Sequence, residues 1–219
     1  KYICVSSVHG ASESIYNNKY KIAHNNSNLA LADGRPIYWA LKLLGNKKVD
    51  HLPGYLITDK ICKLASEKKF TIGIYGGEKK VINEFVRQNK KKYKSLKFNY
   101  LCSPPFRKLI TTEKKKIIKD INKSKIDILF VALGAPKQEI WMFEHRNLIN
   151  CTMVGIGAAL DYLAKTKLKA PLFLEKIALA WLFRMLIEPR RLFTRYLIAN
   201  TTFVYLFFIQ LVIYWFKGK

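Results

Sequence analysis

The residues best suited to chemistry lie in short polar or glycine-bearing segments, each following an apolar run. Asp33-Gly34 closes the run Leu29–Ala32. A carboxylate there can serve as a general base, although Asp-Gly is also a common turn signal. Gly134-Ala135-Pro136-Lys137-Gln138-Glu139-x-Trp141 follows the most apolar run in the chain and opens a helical pattern. Gly134 lets a ligand approach the backbone, the helix start aims free N–H groups at an anion, and Gln138 can hydrogen-bond a sugar or a phosphate. An ordinary strand-to-helix turn has the same pattern. Gly155-x-Gly157 follows the next apolar run. Position 160 is Leu, so the third glycine of a dinucleotide fingerprint is missing and that signal is weak. Asp161 either holds a ribose hydroxyl or sits solvated in a first helical turn. Ser103-Pro104-Pro105-Phe106-Arg107 offers a rigid backbone, an aromatic face and a cation, and His9-Gly10 closes the first apolar run.

No two aspartates are separated by a single residue, so the Asp-x-Asp pair by which many sugar-nucleotide transferases hold a divalent metal is absent. Arg184, Arg190, Arg191 and Arg195 are then the evident cations for a diphosphate. The spacing implies no metal site and no cofactor.

The elements that must position these residues alternate in type. Strands are predicted at Tyr2–Val8, Leu29–Ala32, Phe70–Tyr75, Lys97–Cys102, Asp127–Leu133 and Thr152–Ile156. Helices are predicted at about Pro36–Leu44, Glu78–Lys91, Thr112–Lys123 and Lys137–Asn147, with another after Gly157. Such alternation implies right-handed crossovers and a parallel sheet with helices on both faces. Asp127–Leu133, apolar on both faces, is the expected central strand.

After Leu163 the character changes. Lysines and arginines are threaded with aromatics up to Arg195, and Leu197–Phe216 then runs without a charge until Lys217. About 20 apolar residues suffice to span a bilayer, but Asn200, Thr201, Thr202 and Gln210 equally suit a helix lying in the interface. A helix packed on a partner subunit is the soluble alternative. The expected organisation is an α/β catalytic domain at 1–164 and a basic, apolar helical appendage at 165–219.

Against 15 Asp and Glu stand 39 Lys and Arg, a net charge of +24. An anionic partner is the direct reading, with nucleic acid, anionic lipid and a phosphorylated substrate as candidates, while a general Lys-richness would produce the same number. Cys4, Cys62, Cys102 and Cys151 are dispersed and point to reduced thiols in a reducing compartment. Lys1–Val8 is too short an apolar run for a signal peptide, and the start on Lys rather than Met suggests that residues precede it.

In combination these segments resemble the WecG/TagA/CpsF glycosyltransferase family. The resemblance is carried by His9-Gly10, Ala32-Asp33-Gly34, Gly54, Pro104-Pro105-Phe106-Arg107, Val131 to Trp141, Gly155-x-Gly157-Ala158-Ala159, Lys169-Ala170-Pro171, Trp181-x-x-Arg184, Glu188-Pro189-Arg190-Arg191 and Arg195-Tyr196. It implies a Rossmann-like α/β fold and a metal-independent, inverting transfer from a UDP-sugar, of the N-acetylmannosamine or hexose type. The implied acceptor is linked to undecaprenyl diphosphate and belongs to teichoic acid or surface-polysaccharide synthesis. By the same resemblance Asp33 matches the catalytic base. Phe106, Gly134, Ala135, Pro136, Gln138, Glu139 and Asp161 match the nucleotide-sugar pocket. The Arg-rich C-terminal segment matches an appendage that closes over the site at the membrane; within it Arg184, Arg191 and Arg195 are assigned as diphosphate clamps, and His9 is assigned to the acceptor side.

Two departures stand out. Ala178-Leu179-Ala180-Trp181 replaces a Gly-Leu-Glu-Trp, and Lys165 stands where a glycine is usual, which suggests a different turn near the acceptor. The implied enzyme works at the cytoplasmic face of the plasma membrane, peripheral or anchored by its C-terminal helix. A UDP-sugar, a polyprenyl-diphosphate acceptor and anionic lipid are its expected partners, nucleic acid is not, and a second copy of the chain is a further candidate. The competing reading is a basic α/β protein that binds nucleic acid, which would leave the Asp33 turn and the apolar tail without a purpose. A transferase fold that has lost its activity and serves as a membrane-tethered scaffold rests only on the changes at Ala180 and Lys165.

Overall fold

Side chains of strongly apolar strands must be covered on both faces, and the order of elements follows from that need. The structure, a computed structural model, describes residues 1–216. Its elements are β1 (Tyr2–Ser6), α1 (Val8–Tyr16), α2 (Asn18–Asn25), β2 (Leu29–Ala32), α3 (Arg35–Leu43), α4 (Gly54–Lys68), β3 (Thr71–Tyr75), α5 (Lys79–Lys92), β4 (Lys97–Cys102), α6 (Thr111–Lys123), β5 (Ile128–Val131), α7 (Lys137–His145), β6 (Thr152–Gly155), α8 (Ala159–Leu163), α9 (Leu172–Lys176), α10 (Ala180–Ile187) and α11 (Pro189–Phe216). The six strands form one all-parallel sheet in the order β2-β1-β6-β5-β3-β4.

Residue alternation sorts the core onto the two faces of the sheet. Phe130 and Val154 join Ile72, Ile74, Phe85 and Leu160 under α4, α5 and α8. Their neighbours Leu129, Val131 and Met153 join Tyr75, Ile121 and Met142 under α6 and α7. The expected central strand is therefore apolar on both sides because each side meets a helix layer.

The first strand is shorter than expected. It ends at Ser6, and the Ser7 hydroxyl accepts the Gly10 N–H at 3.4 Å as the N-cap of α1. His9-Gly10 thus lies in the first turn of a helix and does not close the strand. Helices α1, α2 and α4 lack a strong amphipathic signature and were not anticipated.

The chain forms two compact units. The first comprises residues 1–4, 23–30 and 54–168, and the second residues 5–22, 31–53 and 169–219, of which 217–219 lie outside the described part. In the second unit α11 packs on α1 and α10. Leu192, Tyr196, Ala199, Phe203, Phe207, Leu211 and Tyr214 recur at helical spacing as its covered or half-covered stripe. Tyr16 Oη and Thr202 Oγ1 share a hydrogen bond of 3.2 Å, and a Cβ added to Gly45 would clash with the Tyr214 hydroxyl. The helix is thus fastened near its middle and near its end.

The turn at Lys165 has a left-handed backbone although no glycine stands there. Lys165 adopts φ +57° and Ala178 adopts φ +63°, the left-handed conformation that glycine takes most easily. After each, the next amide reaches back five residues: Thr166 N–H donates to the Asp161 carbonyl at 3.0 Å, and Leu179 N–H to the Leu174 carbonyl at 2.8 Å. Both helices therefore end in ordinary left-handed caps without the usual residue.

Candidate active site

In the first unit the loops after β3, β4, β5 and β6 all leave carboxyl ends of parallel strands, the edge at which such sheets bind ligands. The loop Ala132–Pro136 continues the ladder, with Ala132 N–H donating to the Tyr75 carbonyl at 2.8 Å, and contains a cis Ala135–Pro136 bond. Gly134 sits at φ +76°, and a Cβ built on it meets no heavy atom within 4 Å. Its backbone is open to a ligand.

Gln138 and Glu139 begin α7 and are 4% and 1% exposed. Gln138 Nε2 donates to Glu139 Oε1 at 2.8 Å. With the Gln138 N–H side turned to the accepting Glu139 oxygen, the amide oxygen Oε1 points the other way. Oε1 is buried and has no partner among the described residues. It lies 3.4 Å from where a Cβ on Gly157 would be, and Nε2 lies 3.0 Å from one on Gly155. Gly155 therefore leaves room for the side chains of Met142 and Gln138, and Gln138 is in contact range of Gly157. Glu139 lies beside Gln138 and Cys4. Burial, with help from Glu139, pushes the Cys4 thiol up to about 12, so it stays protonated.

Phe106 is 95% exposed on a braced loop. Ser103 Oγ donates to the Gly77 carbonyl at 2.6 Å, and Arg107 pairs through both terminal nitrogens with Glu113. The cation of this loop is thus already engaged, and the bond holds Glu113 well below the usual carboxylate range, at about 2. Asp161 lies in the short helix α8, its carbonyl accepting from Thr166.

The second unit holds the remaining expected site residues. Asp33 follows β2, with its N–H donating to the Ser6 carbonyl at 2.9 Å. Its neighbour Arg35 opens α3, and the Arg35 Nε is buried without a hydrogen-bond partner in the described structure. Arg184 on α10 and Arg191 and Arg195 on α11 converge. Desolvation first, then the like charges of Arg184 and Arg191, push the Arg195 pKa down, while Tyr196 and Glu13 oppose them. Arg191 is also paired with Glu188 one turn earlier. His9 faces this cluster, and burial together with Arg195 lowers its pKa to about 4, leaving a neutral imidazole at neutral pH. Among the described residues no three His, Cys, Asp or Glu side chains form a metal-ligand set.

Sequence reasoning passed over Arg35 and His51. Arg35 adjoins Asp33 and so was within reach of a motif reading. His51 lies in a loop 18 positions further on, and only the tertiary structure brings it to the Asp33 turn.

The profile of the Glycosyl transferase WecG/TagA/CpsF family matches residues 1–216, and the chain belongs to that family. An N-acetylglucosaminyldiphosphoundecaprenol N-acetyl-beta-D-mannosaminyltransferase of Bacillus spizizenii is 26% identical over 180 residues, which are 82% of this chain and 68% of the relative. The protein of the same name from Staphylococcus aureus is 27% identical over 169 residues, 77% of this chain and 65% of the relative. The matched segment thus spans about two thirds of the length of these relatives.

Proposed function

We propose that this chain transfers a sugar, of the N-acetylmannosamine or hexose type, from a UDP-sugar to an acceptor linked to undecaprenyl diphosphate. The observation that carries the reading is the convergence of Arg184, Arg191 and Arg195 with His9 in the same unit as Asp33. The like charges of Arg184 and Arg191 beside the desolvated Arg195 are relieved by an anion, and a diphosphate supplies that charge with matching geometry. Family membership and the relatives' names support the polyprenyl-diphosphate acceptor and favour a transferase over a nucleic-acid-binding protein.

In the proposed reaction the Asp33 carboxylate removes the proton of the acceptor hydroxyl. The freed oxygen attacks the anomeric carbon from the side opposite the diphosphate, the glycosidic bond to UDP breaks, and the configuration inverts. The arginines take up the charge that develops on the leaving diphosphate, without a metal. The Gly134 loop and Gln138 hold the nucleotide sugar, and Phe106 lies against the uracil. Asp161 belongs to the nucleotide side, and His9, neutral, to the acceptor side.

We place this activity at the cytoplasmic face of the plasma membrane. Helix α11 is long and apolar enough to cross a bilayer, but its contacts through Tyr16 and Gly45 favour a helix lying in the interface beside its own unit. Trp39, Leu43, Phe173 and Leu186 of the same unit are also exposed. Lys217, the charge that ends the apolar run, lies outside the described residues.

The test is to incubate the full chain with a panel of UDP-sugars, including UDP-N-acetylmannosamine, and a short-chain polyprenyl-diphosphate-N-acetylglucosamine acceptor. UDP should appear only when donor and acceptor are both present. Absence of acceptor-dependent UDP release from every pair would overturn the proposal.

A further inference from the structure

The outer face of α3 differs from those of the sheet helices. In α5 and α6 every exposed residue is Lys, Arg, Asn, Asp or Thr. In α3 Ala40 is buried, and Ile37, Leu41 and, just past the helix end, Leu44 are half-buried at the spacing of one helical stripe. That stripe turns to the protein. The opposite side carries Arg35, Tyr38, Trp39, Lys42 and Leu43. Trp39 and Leu43, one turn apart, are 43% and 58% exposed. Arg35 and Lys42 lie 6.0 and 5.3 Å from the centroid of the Tyr38 ring. No Asp or Glu occurs from Arg35 to Val49. A face that is aromatic, cationic and free of acids suits the boundary between water and anionic lipid.

The end of the helix continues this face. Asn46 N–H donates to the Leu41 carbonyl at 3.0 Å and Gly45 takes φ +88°, so the helix closes in a left-handed turn. Without a Cβ at Gly45 the Tyr214 hydroxyl of α11 comes close to it. Lys47 and Lys48 follow the turn and are exposed. On α11, Ile213 and Trp215 flank Tyr214 and are 47% and 75% exposed. The ends of two helices with bare aromatic residues thus meet, with lysines at the rim.

We propose that α3 and its Lys47-Lys48 turn form a second membrane contact, in which Trp39 and Leu43 enter an anionic lipid surface and the lysines meet its phosphates. This rests on the reading of the chain as a transferase held at a membrane. Continuity with the bare side of α11 and the complementary charge favour lipid over a second protein. The contact bears on the site as well, because α3 begins directly after Asp33-Gly34. Trp39 is six residues beyond Asp33, about 9 Å at 1.5 Å per residue. Seating Trp39 in the interface holds the Asp33 turn near the lipid phosphates, where a polyprenyl diphosphate is presented.

The experiment is co-sedimentation of the full chain with vesicles of phosphatidylglycerol and phosphatidylethanolamine, and with neutral phosphatidylcholine vesicles. Trp39→Ser with Leu43→Ser should weaken binding to both by about tenfold or more. Lys47→Gln with Lys48→Gln should weaken binding to the anionic vesicles by about tenfold and leave the neutral ones unchanged. Lys114→Gln with Lys115→Gln on α6 removes the same charge and should cost clearly less. Trp39 is also read directly: the fluorescence missing from Trp39→Phe, a change that conserves the ring, should be quenched by acyl-brominated lipid. That readout stands should the serine pair fail to fold. UDP release by the serine pair should fall with a long-chain acceptor in vesicles and hold with a short-chain acceptor in solution. An equal fall with both would overturn the link to the Asp33 turn. Wild-type lipid affinity of the serine pair, an unquenched Trp39, or equal losses from the two lysine pairs would overturn the contact and leave α11 at the membrane. A serine pair that keeps its lipid affinity but loses self-association would assign the face to a second copy and overturn it too. If the wild-type chain binds no vesicle, the membrane reading itself falls.

Discussion

The exposed side of α11 offers a quantitative test of membrane binding. Val204 and Phe208, one helical turn apart, are 64% and 65% exposed, whereas Phe203 and Phe207 face the protein more closely. Full burial of such a side chain contributes about 1.5–3 kcal/mol, so burying the exposed two thirds of each in lipid contributes roughly 1–2 kcal/mol. Replacing both with Ser should remove about 3 kcal/mol of partitioning energy, close to a hundredfold in affinity for vesicles. The assay is co-sedimentation of the full chain with vesicles containing anionic lipid, at fixed protein and graded lipid. Phe207→Ser, on the covered stripe, serves as the contrast: it should lower the melting temperature more than the affinity for lipid. A helix in the interface also keeps both ends on one side of the bilayer. Cysteine placed at Phe216 should therefore react with an impermeant maleimide added outside intact vesicles, above the wild-type background. If the Val204→Ser, Phe208→Ser protein sediments with vesicles as wild type does, this face is not the lipid contact. If the label at position 216 is protected until the vesicles are opened, the helix spans.

The remaining expectations concern the reaction and the caps. Asp33→Asn should reduce turnover by about a hundredfold or more with donor affinity nearly unchanged, and wild-type turnover in the folded variant would remove Asp33 from the chemistry. Activity should survive excess chelator if, as proposed, arginines take the place of a metal at the diphosphate; complete loss, restored by magnesium or manganese, would refute that. Lys165→Gly and Ala178→Gly should each stabilise the protein by about 0.5–1 kcal/mol, because their φ of +57° and +63° strain any residue with a Cβ. Thermal melts should rise by roughly 2–4 °C per kcal/mol in a chain of this size, and unchanged or lower values would mean that the two side chains make compensating contacts.

Much of the first unit could be read directly from the chain. Alternating β-branched runs and amphipathic stretches determine a parallel α/β sheet through local preference and burial alone, and strands β2 and β4 carry the expected boundaries. The place of the Gly134 loop, between a buried strand and the helix α7, was legible for the same reason. Less was legible where one segment's meaning depends on a distant one. Gly155-x-Gly157 looks like half of a nucleotide motif until Gln138 is seen to fill the space above it. Lys165 looks like a lost turn until its backbone is seen to keep the glycine conformation at a modest cost.

The sequence by itself determined the fold class, the charge, the apolar tail and the residue types of the site, because composition and periodicity act locally. Only the tertiary structure decided which of these come together. Helix α11 covers one side of itself with α1 and leaves the other apolar side bare, though its sequence is apolar all round. Arg184 and Arg191 lie beside Arg195 because α10 and α11 pack, and the His51-Leu52 loop meets the Asp33 turn through the Leu52 N–H bond to the Ala32 carbonyl. Such juxtapositions depend on how a chain returns to itself, and no local pattern encodes that return.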